Sequence, residues 1–304
     1  MRVIITGATG FVGRALVEEL AKDNYEIVAL TRNLKTGLAG NNISLIKWDA
    51  KNPNSWTAYV DGAYAIVNLA GENISAGRWT RKRKQAILQS RLSAGKAMVE
   101  AVKQVNGKPK VIVQASAVGY YGSRGDEALD ESSSSGTGYL PEVAQKWELS
   151  TKEVESLGVR HVIIRSGIVL GKGRGALPRL IQPFRLFMGG PLGSGKQWFS
   201  WIHLEDEIKA IRFLMENENL NGVFNLTAPT PLVMTDFCKI LGQLMHRPCW
   251  FKVPGFMLHL AMGEMAEALL LTGQRVLPKR LLEAGYRFLY PEVEPALSQI
   301  LNTG

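Results

Sequence analysis

The sequence predicts an α/β fold, a doubly wound parallel sheet with helices on both faces and a smaller, helix-rich C-terminal part. Short, almost wholly apolar runs alternate with amphipathic stretches of helical length through the first two thirds of the 304 residues. Strands that are apolar throughout are typical of parallel sheets covered on both faces. A glycine-rich turn joins the first apolar run to the first helical stretch, and the last third is predicted to be mainly helical.

The predicted elements follow one another in a regular order. Six apolar runs are expected to form strands, at residues 3–6, 26–30, 44–48, 65–69, 110–115 and 161–165. Helical periodicity between them predicts helices over residues 11–22, 81–104 and 141–156. In the last third we expect helices over 205–215, 235–245, 256–271 and 278–284, with short strands at 223–226 and 250–253. The chain is therefore divided into a nucleotide-binding part over 1–165, with its sheet completed by later segments, and a substrate-side, helix-rich part over 166–304.

The composition excludes several classes of protein. With 46% hydrophobic and 21% charged residues, the chain is neither disordered nor fibrous. Two cysteines, Cys238 and Cys249, are too few for a disulfide framework. The first residues lack the features of a signal peptide, and charges interrupt the most apolar late stretch, residues 256–271. A cytoplasmic protein with no membrane span is expected.

The net charge of +9 is concentrated in two segments. Residues 73–99 and 156–204 each hold seven Lys or Arg and no acid. Such charge suggests nucleic acid, a membrane surface or a phosphorylated small molecule as partner. Four bases crowd the start of the helix at 81–104 rather than spread along one face, so nucleic acid is not expected. We interpret the two segments as a local field that attracts the phosphates of a small anionic ligand.

The turn at residues 6–13, Thr-Gly-Ala-Thr-Gly-Phe-Val-Gly, follows a strand and opens a helix. The first glycine permits the tight turn, the second lets the backbone approach a pyrophosphate, and the third lets the helix pack closely. Free N–H groups at the helix start and the helix dipole then hold the anion. The spacing Gly-x-x-Gly-x-x-Gly thus predicts a Rossmann-type dinucleotide site formed by Gly7, Thr9, Gly10, Phe11, Val12 and Gly13.

The end of the second strand indicates which dinucleotide binds. That strand ends Thr31-Arg32, where an NAD-preferring site has an acid that accepts from the ribose 2′-hydroxyl. Arginine suits the 2′-phosphate of NADP, because its guanidinium binds a phosphate bidentately. NADP is therefore the expected cofactor.

Several motifs resemble a known family. The glycine turn, Val-Asn-Leu-Ala-Gly at 67–71 and Ser116 resemble the extended and atypical short-chain dehydrogenase/reductases of the NAD(P)-dependent epimerase/dehydratase superfamily. Further stretches resemble its sugar-nucleotide epimerase-like "epimerase family protein" branch, at residues 68–74, 90–91, 189–195, 201–203 and 273–278. The resemblance covers essentially the whole chain. It implies cofactor contacts at Thr31, Arg32, Leu69, Ala70, Gly71 and Arg91, a substrate site at the carboxyl edge of the sheet, and a homodimer.

One departure from the family pattern concerns the chemistry. The family uses a Ser or Thr together with a Tyr-x-x-x-Lys helix, in which the tyrosine is the acid/base. Here Ser116 and Lys146 are present, but Glu142 stands four residues before the lysine and the nearest helix tyrosine is Tyr139. A general acid/base must lie within hydrogen-bond reach of the proton that it moves, and the spacing does not supply that reach.

Three interpretations of the catalytic site stay open. Tyr120 or Tyr121 acts as the acid/base, or Glu142 or another carboxylate does so. Alternatively, standard redox epimerisation is absent and the fold binds NADP(H) for another reaction or as a sensor.

We expect an NADP(H)-binding epimerase/reductase that acts on a nucleotide-sugar or related phosphorylated metabolite by transient hydride transfer. Its catalytic residues would be Ser116 on the substrate, Lys146 on the ribose and Tyr121 as acid/base. The alternative is a non-catalytic NADP(H)-binding or redox-sensing protein. No metal site is expected, because the four histidines and two cysteines show no ligand spacing.

Overall fold

The computed structural model describes residues 1–302. Its centre is a seven-stranded sheet in which every strand pairing is parallel. The strands are β1 (Arg2–Thr6), β2 (Glu26–Thr31), β3 (Ile43–Lys47), β4 (Ala65–Asn68), β5 (Val111–Ala117), β6 (Arg160–Ser166) and β7 (Gly222–Leu226). Their order is β3-β2-β1-β4-β5-β6-β7, so the direction of winding reverses between β1 and β4. The predicted Rossmann-type doubly wound sheet is confirmed.

The helices are α1 to α11 in chain order. The first five are α1 (Phe11–Lys22), α2 (Thr57–Val60), α3 (Arg81–Lys103), α4 (Tyr139–Leu149) and α5 (Leu177–Arg185). The others are α6 (Leu204–Glu216), α7 (Met234–Leu244), α8 (Gly255–Met262), α9 (Glu264–Ala266), α10 (Lys279–Glu283) and α11 (Val293–Asn302). Three two-stranded pairs supplement the sheet: Trp201–His203 with Ile168–Leu170, Leu232–Val233 with Trp198–Phe199, and Arg275–Val276 with Ala128–Leu129.

The sheet is buried on both faces, which explains its continuously apolar strands. Side chains alternate along β1, so Val3 and Ile5 pack with α1 and α6 on one face, while Ile4 packs with α3 on the other. All three are fully buried. A further core joins α5, α7 and α11 in the helix-rich C-terminal part.

Several predicted boundaries were wrong for local reasons. The helix predicted over 141–156 ends at Leu149, and a 3-10 segment (Lys152–Leu157) follows it. The helix predicted over 256–271 is interrupted at Gly263, whose φ of +63° takes the backbone out of the helical region, and it resumes as α9 and a π-helical turn. Instead of the strand predicted over 250–253, Cys249 and Val253 each form an isolated bridge.

Candidate functional site

The glycine turn has the close backbone contacts that its spacing predicts. Gly7 has φ of +65°, and a Cβ there would lie 2.6 Å from the carbonyl oxygen of Leu69. A Cβ on Gly13 would overlap the carbonyl oxygen of Gly7. Helix α1 begins at Phe11 without a side-chain cap and without an acid in its first turn. Its first N–H groups have no intrahelical acceptors, so the helix start presents donors to an anion.

A buried hydrogen-bond network fixes the turn after β4 against the glycine turn. The hydroxyl of Thr6 donates to Asn68 Oδ1 at 2.7 Å and accepts from the N–H groups of Leu69 and Ala70, both at 3.2 Å. The amide of Asn68 in turn donates to Gln114 Oε1. These bonds hold the Asn-Leu-Ala-Gly motif where two neighbouring strands end.

A groove of about 490 Å³ runs along this edge of the sheet, at the point where the winding reverses. Open parallel sheets bind ligands at this position. Its wall brings together eight predicted cofactor residues: Gly7, Thr9, Gly10, Thr31, Arg32, Leu69, Ala70 and Gly71. From α3 the wall contains Ser90, part of the family-like stretch at 90–91, and also Ala86, Gln89 and Ser93, which the sequence did not single out. The loop at 48–51 adds further residues that were not predicted. Phe11, Val12 and Gly13 form the first turn of α1 beside it.

Arg32 lies where β2 ends, with 76% of its side chain exposed. Its Nη1 is 3.1 Å from Glu72 Oε1, and Arg83 contacts the other oxygen of that carboxylate at 3.2 Å. Partial burial would raise the pKa of Glu72, but the hydrogen bonds from the two guanidinium groups outweigh it and lower the pKa. Arg32 also borders an adjoining depression of about 510 Å³, together with Lys47, Asn52 and Ser55. The depression therefore offers several donors beside the guanidinium.

A second arginine reaches the glycine turn from the loop after β6. Arg174 Nη1 donates to the carbonyl oxygen of Thr9 at 3.3 Å. The ring of Phe11 packs on this loop, because a Cβ at Gly171 or Gly175 would lie less than 3 Å from ring atoms. Phe11 thus holds the loop that carries Arg174 against the turn.

A cavity of about 210 Å³ lies beyond the groove. Its wall is formed by the ends of β5 and β6, by α4, by residues 197–200 and by residues 268–274 near the C-terminus. Arg91 belongs to this wall and connects the two spaces, since a Cβ on Gly71 in the groove would lie 3.2 Å from Arg91 Cζ. Arg91 is nearly buried, and it lies 4.7 Å from the centre of the Trp147 ring.

The structure places Ser116 and Tyr121 in one buried network. The Ser116 hydroxyl donates to Glu148 Oε1 at 2.6 Å, and Arg165 binds both oxygens of that carboxylate, at 2.8 and 2.9 Å. Arg165 also donates to the Tyr121 hydroxyl, which donates to Asn225. Burial raises the pKa of Tyr121 to about 12, although the neighbouring Arg165 lowers it in part. Neither side chain belongs to the cavity wall among the described residues.

Lys146 lies apart from that network. It is on the exposed side of α4, where its Nζ is 2.5 Å from Glu142 Oε1. The hydrogen bond from Lys146 lowers the pKa of Glu142. Tyr139, at the start of the same helix, donates to the backbone carbonyl of Lys84 at 2.8 Å. The three predicted catalytic residues are therefore not brought together.

Two features of the cavity were missed from the sequence. Ser166, in its wall, donates at 2.6 Å to Glu207 Oε1, and Glu207 is buried with no partner for Oε2 among the described residues. Burial raises the pKa of Glu207 to about 8. Residues 268–274 cover the cavity from a distant part of the chain. In the sequence, the only indication of the buried carboxylate was the acid at position 207 within an otherwise apolar face of α6.

Within residues 1–302, no cluster of three His, Cys, Asp or Glu side chains is arranged to hold a metal ion. In the same part of the chain, no helix combines the length and apolarity needed to cross a bilayer.

Comparisons with known proteins add to this geometry. The model of the "NAD dependent epimerase/dehydratase family" matches residues 3–227, and a domain of unknown function (DUF1731) matches residues 253–300. The epimerase family protein YfhF of Bacillus subtilis is 39% identical over 304 residues, covering 99% of this chain and 98% of that protein.

Two solved structures are similar along the whole chain. The human epimerase family protein SDR39U1 (isoform 2), crystallised with NADPH, superposes with a TM-score of 0.89 at 31% identity and full coverage of both chains. The nucleoside-diphosphate sugar epimerase of Corynebacterium glutamicum superposes at 0.79 with 32% identity, over 100% of this chain and 58% of that one.

Proposed function

The chain belongs to the NAD dependent epimerase/dehydratase family, and from that premise we propose that it binds NADP(H) in the groove and acts as an oxidoreductase or isomerase. The observation that carries the proposal is the meeting of three segments in one groove: the glycine turn, the end of β2 and the turn after β4. The NADPH named for the human structure is consistent with it.

The residues present fit this cofactor. Gly7, Thr9 and Gly10 lie in the groove wall, where the backbone N–H groups of the turn and of the α1 start would bind a pyrophosphate. Arg32 and Lys47 would bind the 2′-phosphate in the adjoining depression, where Asp49 is the one acid of the wall. Arg32 itself occupies the strand-end position at which an NAD-preferring site has an acid. Arg174 would add a positive charge at Thr9. When bound, the nicotinamide supplies a hydride donor or acceptor.

The catalytic residues remain a proposal. Ser116 would orient the substrate, Lys146 would hold the ribose and Tyr121 would move the proton. Tyr121 would have to release the proton that it donates to Asn225. Ser116 and Lys146 already donate to Glu148 and Glu142, but a hydroxyl can still accept a hydrogen bond and an ammonium has further donors. Replacing Tyr121 by Phe or Lys146 by Met would abolish turnover under this proposal. Full turnover in both variants would leave Tyr120, Glu142 or another carboxylate as the acid/base.

The substrate is proposed to be a small anion, drawn by the positive field of the two basic segments. Two classes fit that description. One is a nucleotide-sugar, the substrate class in the name of the Corynebacterium relative. The other is a smaller anion that enters the cavity beside Arg91.

A second candidate function is NADP(H) binding without catalysis, as in a redox sensor. It is supported by the positions of Ser116, Tyr121 and Lys146, which are engaged with other side chains and do not meet in the cavity. A cytoplasmic location and a homodimer also remain proposals.

Titration with NADPH and NADH tests the cofactor assignment. We expect the protein to bind NADPH at least about tenfold more tightly than NADH, because a charge-assisted bond to the 2′-phosphate contributes roughly 1.5–3 kcal/mol. Arg32→Glu should remove that preference, and exposed Arg287, outside the groove wall, provides Arg287→Glu as the control with the same change in charge. Equal affinities for the two cofactors in the unmodified protein would refute the assignment to NADP.

A further inference from the structure

The cavity beside the cofactor groove has a wall with unusual chemistry for a nucleotide-sugar site. Helix α4 contributes Leu140, Val143, Ala144 and Trp147, and the C-terminal segment contributes Leu269 and Leu270. Among the described residues, Arg91 is the one charged side chain in this wall. We propose that the cavity binds a compact, largely apolar substrate that carries a single carboxylate, which pairs with Arg91. This inference rests on the proposed function, in which the cavity is the substrate site.

Arg91 is a buried cation without a carboxylate partner. Its exposed fraction is 9%, and burial lowers its pKa to about 10, so it stays positive at neutral pH. Its Nη1 donates to the backbone carbonyl groups of Glu72 and Ile87, at 3.2 and 2.9 Å, and no acid of residues 1–302 pairs with it. The nearest candidate, the Glu72 carboxylate, binds Arg32 and Arg83 instead. Since burying an uncompensated charge is costly, an anionic ligand would stabilise this arrangement.

Three polar side chains of the wall are already engaged within the protein. Ser166 donates to Glu207, and Ser200 donates to the carbonyl of Gln274 at 2.6 Å. The Gln197 amide donates to the carbonyl groups of Leu192 and Leu270, at 2.9 and 2.7 Å. Few donors or acceptors are thus left for sugar hydroxyls. For a ligand in the cavity, most of the favourable binding free energy therefore comes from apolar contact and from the charge of Arg91.

The size of the cavity indicates the same class of ligand. Sites for drug-sized ligands span roughly 300–1,000 Å³, and an apolar cavity of about 150 Å³ already accepts benzene. The 210 Å³ here suits a single ring with a short side chain. A nucleotide-sugar brings a base, a ribose, a diphosphate and a second sugar ring, and the apolar wall would leave most of their polar groups without hydrogen bonds.

A carboxylate accepts two parallel hydrogen bonds from a guanidinium, as a phosphate also can, but it carries the single negative charge that one arginine balances. A phosphate monoester carries about −1.5 to −2 charges at pH 7, more than one arginine neutralises in an apolar wall. The exposed arginines Arg32 and Arg174 are then available to the phosphates of the cofactor.

Matched ligand pairs test the proposal on the whole protein loaded with NADPH. Benzoylformate and phenylpyruvate would each be titrated beside its methyl ester, with UDP-glucose as the nucleotide-sugar probe, and followed by the fluorescence of the wall tryptophans. We expect the acids to bind at least about tenfold more tightly than the esters. UDP-glucose should bind more weakly than either acid.

The variant Arg91→Met should bind acid and ester equally, while Arg91→Lys should keep part of the difference. If Arg91→Met fails to fold, the acid-to-ester ratio of the unmodified protein still decides the question. The proposal is wrong if neither acid binds more tightly than its ester, or if UDP-glucose binds more tightly than both. If the protein does not bind NADPH, the proposed function is wrong instead. Titration of the same acid and ester pairs without NADPH then shows whether the cavity still prefers the acids.

Discussion

The roles of individual residues in this protein follow from their contacts in the folded structure rather than from the motifs in which they occur. Ser116 occupies the position that the family resemblance gives to a substrate-orienting hydroxyl, yet it donates to Glu148 in a buried network. Arg91, expected from the resemblance to contact the cofactor, lies between groove and cavity without an acidic partner in the described chain. Arg32, in contrast, lies in the groove wall at the strand end from which its role was predicted.

The buried Glu207 predicts a pH dependence of stability. Its pKa is about 8 in the folded protein against a usual 4.5, because burial disfavours the charged form. Between these values the unfolded chain loses the proton and the folded chain keeps it, so stability falls as the pH rises through this window. The slope would approach roughly 1.4 kcal/mol per pH unit.

Glu207→Gln should flatten this slope, as measured by urea unfolding at several pH values. The variant should also be the more stable protein at neutral pH, because it has no carboxyl to ionise on unfolding. Half-exposed Glu205, on the same helix, provides the control Glu205→Gln, which should keep the slope. An unchanged slope in Glu207→Gln would show that Glu207 is already ionised in the folded state.

Elements are joined at the site by polar contacts as much as by apolar packing. Arg165 on β6 and Glu148 on α4 form an ion pair whose side chains are 4% and 9% exposed, and Ser116 brings β5 into the same network. The pair fixes α4 over the carboxyl ends of two strands, and α4 in turn forms one wall of the cavity. The ion pair thus serves to position α4.

Breaking this ion pair should destabilise the fold strongly. Glu148→Ala leaves Arg165 buried without its partner, so the free energy of unfolding should fall by about 3–5 kcal/mol. Glu142→Ala on the same helix breaks the exposed pair with Lys146 and should lower the free energy of unfolding far less, because water screens that pair. Urea denaturation curves of the two variants provide the comparison, and similar losses would contradict the structural role of the network.

At the scale of the whole molecule, the positive charge is divided between internal contacts and the ligand-binding edge. Lys84 at the start of α3 pairs with Glu264, and Arg78, just before α3, donates to the carbonyl of Ala261 at 3.0 Å. Together they hold the start of α3 against the α8–α9 region. Arg165 is engaged inside the fold. Arg32 and Arg174 remain beside the cofactor groove. Net charge alone thus overstates the charge available to a ligand.

Charge removal at matched sites tests this division. Arg174→Gln should weaken NADPH binding several-fold, and the loss should shrink as the salt concentration rises, because ions screen exposed charges. Arg185→Gln removes one charge from the same basic segment, from an exposed residue outside the groove and cavity walls, and should leave the affinity unchanged. Equal losses in both variants would indicate a diffuse effect of net charge rather than a local field.

The sequence by itself determined the sheet, the glycine turn and the segments of the groove. These features depend on local periodicity, on glycine conformation and on strand ends that a parallel sheet necessarily brings to one edge. The sequence also indicated NADP, because the local pattern that ends β2 places Arg32 at the strand end. Helix ends were predicted less well, since Gly263 interrupts a stretch whose periodicity continues beyond it.

Only the tertiary structure decided what each side chain near the chemistry touches. Arg165 and Glu148 are 17 positions apart, Ser166 and Glu207 are 41 apart, and residues 268–274 reach the cavity from the far end of the chain. No periodicity or spacing records such pairings, because they depend on how packed elements meet. The sequence therefore specified where a dinucleotide would bind, whereas folding specified the apolar, singly charged cavity next to it.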